Sequence, residues 1–132
     1  MLLAILHVAF DSAASDERRA DWARRGHSLF HVMPTQAPRA AAREFPPDVV
    51  AIEIGDRPDE AYPAVRHILG VPRRRGDRWP LVLLEVRDRD REVAAKIAPH
   101  ATLVPPGASP EDVLAACFAQ IARCRQEWEC GA

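Results

Sequence analysis

The chain has 132 residues, 48% hydrophobic and 28% charged, with a formal net charge of -1 at pH 7. This is a single-domain length, able to bury about two-thirds of the surface its unfolded form exposes. The near-neutral balance supplies no field to attract nucleic acid or an anionic membrane. Among 18 basic residues only Lys96 is not arginine; with abundant Ala and Pro, that skew reads as GC-rich coding and a bacterial source.

Strand-like and helix-like segments alternate along the chain. Leu2–Val8 is apolar throughout but has no basic flank. It falls well short of the ~20 residues of a membrane span, so it is the first predicted strand of a cytoplasmic protein. Ser15 is placed to cap a helix beginning Asp16-Glu17 and ending Arg24-Arg25-Gly26, a charge order that suits the helix dipole. Ser28–Val32 is the second strand, and Ala37–Glu44 a short helix stopped by Pro46-Pro47. Asp48–Ile54 is the third strand, and a helix is predicted over Pro58–Leu69. Leu81–Val86 is the fourth strand, Asp90–Ile97 a helix and Ala101–Val104 a brief fifth strand. Ser109-Pro110-Glu111 then opens a last helix running to about Trp128.

Strands that are apolar at nearly every position and separated by helices indicate a parallel sheet covered on both faces. The expected architecture is a (βα)5 three-layer α/β sandwich of flavodoxin-like type, one domain over residues 1–132. In such sheets the functional crevice lies beyond the carboxyl ends of the strands. Ala9-Phe10-Asp11, Glu53 to Asp56, Glu85 to Arg87 and Pro105-Pro106 should meet there.

Other signals read as structural. Cys117, Cys124 and Cys130 have no CxxC spacing and no histidine near them, which argues against zinc; Cys117 and Cys124 read as small buried hydrophobes of one helix face. His7, His27, His31, His67 and His100 are scattered, and His7 on an apolar strand reads as a core histidine. The run Arg73-Arg74-Arg75-Gly76-Asp77-Arg78 reads as a solvated loop, and no recognition helix accompanies it.

Three segments carry a resemblance to a known family. Pro47-Asp48-Val49-Val50-Ala51-Ile52-Glu53 resembles the third strand of the receiver domains of bacterial two-component response regulators, which ends in the phospho-accepting Asp. Trp79-Pro80-Leu81-Val82-Leu83-Leu84-Glu85 resembles their fourth strand, which ends in Thr or Ser. Leu103-Val104-Pro105-Pro106-Gly107-Ala108-Ser109-Pro110-Glu111 resembles their Leu-Val-Lys-Pro-Phe-Ser-Pro-Glu, with one residue more. The resemblance covers Leu3 to about Arg123 and implies the strand order 2-1-3-4-5.

Against that pattern the reactive groups are altered. Ala9 and Phe10 stand where the family has a metal-binding acidic pair, leaving Asp11 alone. Glu53 holds the phospho-acceptor position, Glu85 replaces the hydroxyl residue, Pro105 the lysine, and Thr102 the aromatic switch residue. Phosphoryl transfer depends on positioned cations that offset charge on the equatorial oxygens. The resemblance therefore implies a pseudo-receiver with a degenerate pocket of Asp11, Glu53, Glu85 and Pro105, with no enzymatic activity, metal or cofactor. Glu53 is expected to pair with a nearby arginine such as Arg57 or Arg87. A relict cation site of Asp11, Glu53 and Glu85 is the weaker alternative, because three neighbouring carboxylates raise one another's pKa.

Val113, Leu114, Cys117, Phe118, Ile121, Cys124 and Trp128 form an apolar stripe on the last helix. Its first half covers the sheet, which leaves Phe118, Ile121 and Trp128 as interface anchors. In receivers the fourth and fifth helices, with the strand between them, are the usual dimerisation face. The expected role is thus a phosphorylation-independent signalling module, working by contact with a protein partner or as a homodimer, without direct nucleic-acid binding. The last helix, over about 109–128, would lead to an output domain that the chain lacks. The alternatives are a small-ligand or nucleotide-binding domain using the loop Asp11-Ser12-Ala13-Ala14-Ser15, and a receiver still phosphorylatable in a rearranged pocket.

Overall fold

The computed structural model describes residues 2–69, 81–99, 101–106, 108 and 110–131, without the side chains of 110, 121 and 123–131. In chain order the elements are β1 (Ala4–Val8), α1 (Ala13–Arg24), β2 (Ser28–Val32), α2 (Pro38–Glu44), β3 (Val49–Glu53) and α3 (Pro58–Leu69). They continue with β4 (Leu81–Glu85), a 3-10 turn (Asp88–Asp90), α4 (Arg91–Ile97), β5 (Thr102–Val104) and α5 (Pro110–Gly131). The arginine-rich loop, His100, Trp79 and Ser109 lie outside the described residues.

All neighbouring strands pair in parallel, in the order β2-β1-β3-β4-β5. This is the predicted flavodoxin-like α/β sandwich. Because side chains alternate along a strand, each strand supplies two cores. Leu6, Val8, Val50, Ile52, Val82 and Leu84 pack with Val65 and Ile68 of α3 and Ala94 of α4. Ile5, Val49, Ala51, Leu81 and Leu83 face the other way, against Trp22 of α1 and Val113, Leu114 and Cys117 of α5. The Cys117 thiol is pushed up to about 11 by burial, so it remains a neutral apolar filler. The side chains of Cys124 and Cys130 lie outside the described residues.

The predicted start of α1 needs correction. Ser12, not Ser15, is the N-cap: it is extended, with φ -149° and ψ 161°, and its hydroxyl accepts from the Ser15 N–H at 3.1 Å. Two serines three residues apart both fit the capping pattern, and the hydrogen bond selects the first. Ser15 is thereby turned inward and fully buried. The predicted Asp90 start of the fourth helix is likewise tightened into the 3-10 turn.

At the opposite end of the sheet Asp48 registers β1 against β3. Its carboxylate accepts from Ala4 N–H at 2.9 Å, its own N–H donates to Ala4 O at 2.7 Å, and its carbonyl accepts from Leu81 N–H at 2.9 Å. Leaving a part-buried donor unpaired costs about 1–2 kcal/mol. Asp48→Ala is expected to lower the free energy of urea unfolding by that amount, whereas Asp48→Asn, which keeps an acceptor, recovers most of it.

Candidate functional site

The carboxyl ends of β3 and β4 place two acids side by side: Glu53 and Glu85 are direct cross-strand partners. Both lie on the face that α1 covers. Like charges opposite each other on adjacent strands destabilise a sheet unless a cation intervenes. Here the cation is Arg18, from the middle of α1. Its Nη1 donates to Glu53 Oε1 at 3.2 Å and also to Glu85, and its Nη2 donates to the Ala108 carbonyl, between β5 and α5, at 3.3 Å. The three side chains are 11%, 20% and 11% exposed for Arg18, Glu53 and Glu85, so this is an internal ion cluster.

Two further groups complete the shell of Glu53. Ser15 Oγ donates to Glu53 Oε2 at 2.6 Å, in preference to the Phe10 carbonyl at 3.4 Å. His7, directly below on β1, brings Nε2 to 3.4 Å from Glu53 Oε1. That is a long approach without good hydrogen-bond geometry, and neither ring nitrogen has a hydrogen-bond partner. The ring packs edge-on against Trp22, centroids 5.2 Å apart, and tilted against its cross-strand neighbour His31 at 5.8 Å.

Burial acts on both ionisable partners, with opposite outcomes. For His7 it dominates and holds the imidazole below 6.5, despite the Glu53 carboxylate beside it. For Glu53 burial alone would raise the pKa, but the His7 ring, the Ser15 hydroxyl and the Arg18 guanidinium outweigh it and bring the carboxyl down to about 2. Glu53 is thus an anion and His7 a neutral ring at neutral pH. The space beside them, lined by Arg18, Trp22, Leu83 and Val113, has room for roughly one water.

The other predicted site residues fall elsewhere. Asp11 is 66% exposed and turned outward, 3.2 Å from Arg19 and 3.7 Å from His31, away from Glu53 and Glu85. Among the described residues no three acids, histidines or cysteines are grouped to hold a metal ion. The expected pairing of Glu53 with Arg57 or Arg87 is wrong: Arg57 lies over the Phe10 ring at 4.6 Å, and Arg87 pairs with Asp56. Both arginines follow strand ends and stay above the crevice, whereas Arg18 reaches Glu53 from the helix that covers it. Pro105 is exposed, and its carbonyl accepts from Ala108 N–H at 3.2 Å. Thr102 donates its hydroxyl to Gln120 of α5 at 2.8 Å. Phe118 is 38% exposed, while the side chains of Ile121 and Trp128 lie outside the described residues.

Arg18 was not singled out from the sequence, and Ser15 only as a helix cap and a member of a candidate ligand loop, not as a partner of Glu53. The signal was the spacing Ser15, Arg18, Trp22 on a helix, Ala-Ala-Ser-Asp-Glu-Arg-Arg-Ala-Asp-Trp-Ala-Arg, that has no apolar stripe. Residues three and four apart share a face, so the side of α1 that meets the sheet through Trp22 also carries Ser15 and Arg18.

Known structures share this fold. The signal receiver domain of a modulated diguanylate cyclase from Desulfovibrio desulfuricans G20 superposes with a TM-score of 0.70 at 14% identity, covering 96% of this chain and 99% of that one. NtrX from Brucella abortus gives 0.72 at 15% identity over 98% of this chain, which corresponds to 29% of its own length. The N-terminal domain of the nisin resistance regulator NsrR, a lantibiotic response regulator, gives 0.66 at 11% identity, covering 88% of this chain and 96% of that one. No protein-family model and no curated protein matches the chain. At these identities the likeness is one of fold.

The cluster fixes two stability responses. Removing one partner of a buried ion pair costs about 3 kcal/mol, because the remaining charge stays desolvated. Arg18→Ala is expected to lose that much in chemical denaturation, and Glu85→Gln in the same background to recover part of it by relieving the repulsion. Glu53, depressed from 4.5 to about 2, adds stability that is complete above pH 4.5 and is lost as pH falls toward 2. Acid unfolding of Glu53→Gln should therefore be flatter across that window than acid unfolding of the parent protein.

Proposed function

We propose that this chain is a receiver-like signalling module that acts through protein contact and takes no phosphoryl group. One observation carries the reading: the guanidinium of Arg18 is inserted between Glu53 and Glu85 and bonded onward to Ala108. A phosphoryl group arriving at Glu53 would need a positioned cation and an uncharged donor beside it. The cation at hand is already shared by two carboxylates, and the cross-strand neighbour of Glu53 is itself an anion. Loss of a single charge-stabilising donor costs about 3 kcal/mol of transition-state stabilisation, and the losses here act together.

The surface assigned to partner contact is formed by α4, β5 and α5. Val93 on α4 is 49% exposed and Phe118 on α5 is 38% exposed, on either side of the edge strand β5. The Thr102–Gln120 hydrogen bond ties β5 to α5 within this face. A second copy of the chain is the first partner to consider, since a self-complementary patch closes by two-fold symmetry.

Incubation with acetyl phosphate and Mg2+, followed by intact-mass measurement, is expected to leave the mass unchanged; a gain of one phosphoryl group overturns the reading. Light scattering coupled to size exclusion is expected to report a dimer that Phe118→Asp converts to a monomer. A parent protein monomeric at every concentration would remove the second copy as partner.

A further inference from the structure

At the amino edge of the sheet, opposite the ion cluster, two side chains hold the first residues of β1. Asp48, just before β3, accepts from Ala4 N–H at 2.9 Å. His27, buried just before β2, accepts from Leu3 N–H through Nδ1 at 3.0 Å. The Leu3 carbonyl accepts in turn from Ser28 N–H at 2.9 Å, so both backbone groups of Leu3 are fastened to the segment 27–28. That fastening positions two leucines. Leu3 is buried in the core that it shares with Trp22, and Leu2, 71% exposed, lies over Gly26, where a Cβ would come within 3.3 Å of it. Gly26 has φ +87°, the left-handed turn that brings the chain from α1 round to His27.

An imidazole nitrogen that accepts a hydrogen bond carries no proton, so this contact requires a neutral ring with its hydrogen on Nε2. We propose that His27 is a proton-operated clasp, whose protonation at Nδ1 releases Leu2 and Leu3 from the start of β2. The step is the uptake of one solvent proton, with no covalent bond broken. Two donors, Nδ1–H and the Leu3 N–H, then face each other, and a buried donor without an acceptor is costly. Burial, the charge of the amino terminus and Arg25 all oppose the imidazolium, which places the event below the ordinary value of 6.5. Arg25, in the turn after α1, is itself shared by Asp21 and Glu111, and α1 meets His27 through the Trp22 carbonyl, which accepts its backbone N–H at 3.3 Å. Because the released ring binds the proton more readily, the clasp is complete above 6.5 and is lost as pH falls below it. Ala4 limits the movement. Asp48 holds it by both N–H and carbonyl, so β1 keeps its register with β3 while Leu3 leaves its core. Acidification thus exposes a pair of leucines at one corner of an otherwise intact sheet. This inference rests on the amino edge and not on the ion cluster or the proposed partner surface, so either can fail alone.

The test is a titration of the full chain downward from neutral pH, following histidine rings and backbone amides by NMR. At the start the His27 hydrogen is expected on Nε2. The His27 ring and the amides of Leu3 and Ser28 are then expected to shift with one common midpoint below 6.5, while those of Val50 and Leu84 stay still and the spectrum stays dispersed. His27→Asn sets an amide oxygen where Nδ1 stood, an acceptor that takes up no proton in this range. In that variant the Leu3 and Ser28 response is expected to vanish, while the His31 ring still titrates. A persisting response overturns the proposal. If the variant does not fold, the parent titration decides alone: a hydrogen on Nδ1 at neutral pH overturns it, as does a His27 ring that titrates without the Leu3 amide. So does a His27 ring that stays neutral until dispersion is lost.

Discussion

Two carboxylates set directly opposite each other on adjacent parallel strands are the constraint from which most of this structure follows. Glu53 and Glu85 cannot separate, because their backbones are locked in register, and their strands are too short to turn either residue away. A positive charge must therefore reach them from outside the sheet. It comes from α1, which is why that helix carries an arginine and a serine on the face where its neighbours in the fold carry aliphatic side chains. The apolar core on this side is correspondingly thinner, with Trp22 as the large hydrophobic anchor of α1. Coulombic attraction in a partly desolvated site replaces part of the packing that hydrophobic contact supplies on the other face.

Much of the fold was legible because it rests on short-range pattern. Continuous apolar runs such as Val49–Ile52 and Leu81–Leu84 need cover on both faces, and that alone calls for a parallel sheet with helices on each side. Helix ends were less legible. Ser12 and Ser15 are chemically equivalent as caps, and only the tertiary demand of Glu53 for a donor separates them. The positions of Glu53 and Glu85 at the strand ends could be read from the chain. Their partners could not be read by proximity in sequence: Arg57 is four residues from Glu53 and Arg87 two from Glu85, yet Arg18, 35 residues from Glu53 and 67 from Glu85, takes both. The pairing of His7 with His31 escaped for the same reason, since it requires the register between β1 and β2.

Arginine usage itself acquires a structural meaning here. A lysine at position 18 could serve one or two of the acceptors as a point charge, but the planar guanidinium presents donors in several directions at once. Arg18 uses this to bind two acids through Nη1 and a backbone carbonyl through Nη2. Composition that reads as coding bias over the whole chain is, at this position, matched to the geometry of three acceptors on three different segments.

The grip of α1 on the start of α5 has a mechanical consequence. Arg18 holds Ala108, and Arg25, at the carboxyl end of α1, holds Glu111 in the first turn of α5. Helix α1 is tied to the sheet chiefly through Trp22 and the ion cluster. Its release would take the amino-terminal turn of α5 with it. Opening of α1 and of the first turn of α5 is thus linked through Arg18 and Arg25, so their amides are expected to exchange with solvent as one group.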